Sequence, residues 1–147
     1  MLLAIDPATK TGWRTKDASG TMNFAIKKGE ASSARVRKFR DWLVTLLDGG
    51  ITFVAYEKPT QGHFEATRVH SGLEAIIMLM CEDYGAGYYG FSAGEIKKHA
   101  TGKGKAKKDA MIAACVEKLG ITTVCDNEAD ACWIYDLSLK RLTFKDA

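Results

Sequence analysis

Short apolar runs alternate with amphipathic stretches along this chain, and the alternation lays out its elements in order. Residues 1–5 are an apolar run closed by Asp6-Pro7, which reads as a buried strand and a turn. Residues 12–15 and 21–26 flank the turn-rich spacer Asp17-Ala18-Ser19-Gly20 and read as a hairpin that continues from the first strand. Ser32 or Ser33 can cap a helix to about Leu47 that carries Val36, Phe39, Leu43, Leu46 and Leu47 on one face. Residues 51–56 form a second apolar strand, which leaves through Glu57-Lys58-Pro59. A polar loop is expected over 58–66 and a helix from about Thr67 to Asp83. A short aromatic strand follows over 88–91. Ser92 and Glu95 have capping-box spacing and open a short helix to Lys98. An amphipathic helix over 106–119 stops at Gly120, and a last helix begins at Asp126. A three-strand meander followed by strand–helix–strand units predicts an α/β domain: a mixed five-stranded sheet with helices on both faces.

The chain has 147 residues, 46% of them hydrophobic and 27% charged, with 2 prolines. That composition fits one folded domain over 1–147 and excludes wholesale disorder. The longest apolar run, 75–81, ends at Glu82-Asp83 and is far short of the ~20 residues a membrane span needs. The start has no basic segment ahead of a leader-like apolar stretch, so a cytoplasmic protein without membrane contact is expected. Cys81, Cys115, Cys125 and Cys132 form no CxxC pair and have no histidine at zinc spacing; reduced, mostly buried thiols are expected.

Net charge is only +3, but its distribution is uneven. Lys97, Lys98, Lys103, Lys105, Lys107 and Lys108 fall in a stretch without an acid, whereas Asp126, Glu128, Asp130 and Asp136 cluster later. A basic strip beside an acid cluster suggests a polyanionic ligand and a cation held by carboxylates. Asp6 and Glu57 end apolar strands, and Asp126 and Asp130 lie at a helix start, at i,i+4 spacing. If the two strands are parallel neighbours, their acids point to one place and the helix start brings the others. Four carboxylates there repel one another unless divalent cations neutralise them, and oxygen-only donors select Mg²⁺ or Mn²⁺. Each acid taken singly also fits a plainer role: a turn at Asp6, an N-cap at Asp126, a dipole partner at Glu128, an exposed helix position at Asp130.

The ordered set of motifs carries a resemblance. Ile5-Asp6-Pro7 with Thr11-Gly12-Trp13, then Tyr56-Glu57, then the lysine-rich stretch around Thr101-Gly102-Lys103-Gly104-Lys105-Ala106, then Asp126-Asn127-Glu128-Ala129-Asp130 follow the order found in RuvC-like Holliday junction resolvases. The set spans residues 5–131, and the short chain is similar to compact phage-type members. The resemblance implies the ribonuclease H-like fold and a homodimeric, Mg²⁺-dependent endonuclease that resolves four-way DNA junctions by paired nicks. It implies metal-ligand and catalytic roles for Asp6, Glu57 and Asp130. The fourth ligand falls on Asp126; Asn127 occupies the place where bacterial members carry Asp or His, and Glu128 is the other candidate. Broader branched-DNA or RNA-processing nucleases of the same fold, and a catalytically dead nucleic-acid-binding module, are the alternative readings.

Lys97, Lys98, Lys103, Lys105, Lys107 and Lys108 are then expected on DNA phosphates, giving affinity without sequence readout. Phe64 either stacks on a base at the junction or anchors its loop on the core. His99 either assists at a phosphate or a water or is a plain surface residue. The apolar face of 67–80 (Val69, Leu73, Ile76, Ile77, Met80) is wide enough to serve a dimer contact as well as the sheet.

Overall fold

The computed structural model describes residues 1–143. Strands β1 (Leu2–Asp6), β2 (Lys10–Arg14), β3 (Ser19–Asn23), β4 (Phe53–Glu57) and β5 (Gly87–Phe91) form one sheet in the order β3-β2-β1-β4-β5. The first three strands are antiparallel, and β1, β4 and β5 run parallel. The helices are α1 (Ala34–Asp48), α2 (Phe64–Tyr84), α3 (Ala93–Thr101), α4 (Lys108–Ala114) and α5 (Asp126–Arg141).

Period-two alternation along β1 and β4 divides the core into two layers. Leu2, Ala4 and Ala55 pack against α3, α4 and α5, with Trp133 and Leu137 among the buried α5 side chains. Leu3, Ile5, Val54 and Tyr56 face the opposite layer, built from α1 and α2. The stripe expected on α2 faces this layer: Leu73, Ile77 and Met80 are buried in it, and Val69 and Ile76 pack against it while partly exposed.

Several boundaries differ from those expected; β2 and β3 begin earlier, at Lys10 and Ser19. α2 starts at Phe64, so the loop after β4 ends at His63 and Phe64 is helical. Ser33 occupies the cap of α1 but its hydroxyl makes no capping bond; the residue has helical backbone angles rather than the extended ones that aim a cap side chain at the helix. The helix expected over 106–119 starts later, at Lys108, and gives way to a wider π turn over Cys115–Leu119. The wider turn keeps Cys115 buried and Leu119 packed against the same layer before Gly120, at φ 67°, reverses the chain. The capping box at Ser92 and Glu95 forms in full, and α3 runs on to Thr101. No helix among the described residues is long and apolar enough to cross a membrane.

Candidate active site

The parallel ladder places two acids side by side. Leu2 pairs with Phe53 and Ala4 with Ala55, and the register closes at Ile5 and Tyr56. Asp6 and Glu57 are the next residues on their strands. By alternation both share the face of Ala4 and Ala55, which is the face α5 covers. Asp6 is only 6% exposed and hydrogen-bonds the Glu57 carboxylate.

Burial first, and then the charge of Glu57 and of Asp130, drive the Asp6 carboxyl well above the ordinary carboxylate range. The interaction between the two carboxyls raises Asp6 and opposes the rise of Glu57. Glu57 is also raised, by burial, while His70, the bond from Asp6 and Lys97 oppose the rise. Asp130 is pushed up to about 7 by burial and by Glu57 and Asp126, against the pull of Lys97 and Lys108. Asp126 is paired with Lys108 at 3.2 Å.

A groove of ≈ 620 Å³ is walled by Asp6, Glu57, Asp126 and Asp130 together with Asn127 and Lys10. A second groove, ≈ 740 Å³, shares Glu57, Asp130 and Lys108 with the first and is walled by Lys97, Lys105 and Lys107. The acids and part of the basic stretch thus line one continuous channel. Lys98 and Lys103 are exposed but lie outside that lining. Phe64 is 74% exposed, so it does not anchor a loop on the core; the next residue, Glu65, lines the first groove.

Among the described residues no three histidine, cysteine or acidic side chains converge as a ready ion cage. Asp126 turns to Lys108 instead. The donor set still fits a hard divalent cation: it is oxygen-only, and beyond burial the neighbouring acids raise Asp6 and Asp130, a repulsion that a cation relieves. Asp6, Glu57, Asp126 and Asp130 are the residues able to hold one.

Glu128 has a different task. Its two carboxylate oxygens accept from the Ser19 and Thr123 hydroxyls, each at 2.7 Å, and tie the start of α5 to β3. His99 is likewise committed, bonded to Asp136 at 2.7 Å and set edge-on to Trp133. All four cysteines are free, and Cys81, Cys115 and Cys132 are buried.

Two contributors escaped the sequence reading. His70 donates from Nε2 to the Glu57 main-chain carbonyl at 2.7 Å and lines the acid groove, so α2 props the end of β4. Its signal was its place three and seven residues before the buried Leu73 and Ile77, on the inward stripe of α2. Arg35, near the start of α1, lines the same groove, and its position in sequence gave no sign of that.

This combination of sheet order and two-sided helix cover is the ribonuclease H-like fold. In fold the chain is similar to RuvC: it superposes on the Thermus thermophilus RuvC structure with a TM-score of 0.72 at 18% identity, covering 95% of this chain and 95% of that one. T. thermophilus RuvC in complex with a Holliday junction substrate gives a TM-score of 0.69 at 18% identity, over 90% of this chain and 88% of that one. No protein-family model matches the sequence, and no curated protein matches it either.

Proposed function

We propose that this protein is a metal-dependent, structure-selective DNA endonuclease that resolves four-way junctions by paired nicks. The observation that carries the proposal is that Asp6, Glu57 and Asp130 line one groove, and that Glu57 and Asp130 also line an adjoining one with Lys97, Lys105 and Lys107. Structural likeness to RuvC supports a nuclease, and the RuvC complex with a Holliday junction supports branched DNA as the ligand.

Asp6, Glu57 and Asp130, with Asp126, would hold Mg²⁺, for which Mn²⁺ substitutes. Such an ion would supply positive charge for the phosphoryl oxygens and lower the pKa of an attacking water. The chain's own residues do the rest. Lys97, Lys105 and Lys107 bind backbone phosphates as point charges and seat the strand along the acids. Lys108 offsets Asp126 until the substrate phosphate competes for it. His70 and the strand ladder hold the Glu57 backbone still. Hydrolysis leaves a 5′-phosphate and a 3′-hydroxyl. Two cuts on a two-fold substrate need two sites, so the working form is a homodimer, acting in the cytoplasm. Phe64, exposed at the start of α2, would stack on an unpaired base at the junction centre.

The test is a substrate panel in Mg²⁺: four-way junction, Y-fork, linear duplex and RNA–DNA hybrid. Paired nicks confined to the junction are expected. Cleavage of the hybrid alone moves the activity to RNA processing, and binding without cleavage in either metal removes the enzyme.

A further inference from the structure

A third pocket, ≈ 430 Å³, adjoins the acid groove and shares Arg35 and Glu65 with it. Ser32, Ser33 and Arg68 complete its polar lining. Three observations point the same way. The Nε of Arg35 is buried and has no hydrogen-bond partner among the described residues, an unmet donor of the kind folded proteins rarely leave. Ser33 stands at the cap of the 15-residue α1 without using its hydroxyl on the helix. The two arginines outnumber the one carboxylate, Glu65, in that lining. Arginine forks are suited to a phosphate.

We infer that this pocket is a second phosphate site, which holds a backbone phosphate of the DNA strand where it leaves the carboxylate groove. The inference rests on the nuclease reading above and deepens it: the lysine wall grips one side of the scissile position, and Arg35 and Arg68 grip the other. Arg35 borders both spaces, so a strand held there is fixed in register with the acids.

The experiment measures binding of a labelled four-way junction without divalent metal, as a function of salt, for wild type, Arg35→Gln with Arg68→Gln, and Ser33→Asp. Ser33→Asp guards against simple misfolding, because an acid at the start of α1 favours the helix while opposing a phosphate. Both variants are expected to bind roughly tenfold more weakly, and the arginine variant to lose about one from the salt slope for each contact removed. Melting curves should show both variants folded. If wild type binds and nicks junctions and both variants match it, this site is wrong while the nuclease reading stands. If wild type neither binds nor nicks any DNA, both fall. If inorganic phosphate raises the melting temperature of wild type but not of the variants, with DNA affinity equal in all three, the pocket takes free phosphate and the DNA assignment is overturned.

Discussion

Gly12 on β2 lies directly against the main-chain carbonyl of Asn127 in the first turn of α5. A Cβ at Gly12 would stand 1.8 Å from that oxygen, deep inside contact distance. The φ of Gly12 is not positive, so the demand is purely for space. This contact lets α5 press onto the sheet closely enough to bring Asp130 to Asp6 and Glu57. The Thr11-Gly12 pair owes its second residue to that approach, and Thr11 closes the preceding turn through its hydroxyl on the Ala8 carbonyl at 2.6 Å.

Gly12→Ala is therefore expected to destabilise the fold by about 3 kcal/mol, at the upper end for overpacking, because the obstacle is backbone rather than a movable side chain. Urea unfolding measures it. Nicking should fall as well, since Asp126 and Asp130 ride on the displaced helix.

Asp130 makes stability depend on pH in a direction unusual for a carboxylate. Its folded pKa, about 7, lies above the ordinary 3.8, so the folded state holds the proton more tightly than the unfolded one. The associated stability is complete below the ordinary value and is lost as pH rises through the folded one. Asp130→Asn mimics the protonated form. In EDTA it should melt higher than wild type at pH 8, by on the order of 5 °C, and the gap should close towards pH 4. A gap that is constant with pH contradicts the assignment.

How much of this was legible in the sequence follows from which contacts are local. Strand alternation and the acids at the ends of β1 and β4 are written in short windows, so the sheet and the positions of Asp6 and Glu57 could be read there. The capping box at Ser92 is local too and formed as expected. Glu128 was ambiguous because its partner Ser19 lies 109 positions away. His70 and Arg35 join the site only because α1 and α2 pack beside the groove, which no local pattern encodes. Phe64 falls in a helix because α2 begins three residues before the expected start at Thr67; the Thr67 N–H bonds back to the His63 carbonyl at 3.0 Å.

Glu128→Gln separates bracing from chemistry. The amide keeps one good acceptor, so stability should drop by about 1 kcal/mol and nicking should stay within a few-fold of wild type. Loss of nicking with full stability would make Glu128 a ligand and displace Asp126.

Changing Lys103, Lys105 and Lys107 to Ala should weaken binding to all junction sequences alike and flatten the dependence of affinity on salt. Equilibrium binding at several salt concentrations reads this directly. Lys105 and Lys107 should carry most of the loss, since they line the channel and Lys103 does not.

Nicking of a labelled four-way junction in Mg²⁺ by wild type, Asp6→Asn and Asp130→Asn, with junction binding measured alongside, bears on the carboxylate site most directly. Wild type should nick in pairs, and each variant should lose at least about a hundredfold in rate while binding the junction as tightly as wild type. Either variant cutting at the wild-type rate would mean that these acids do not hold the ion that drives cleavage.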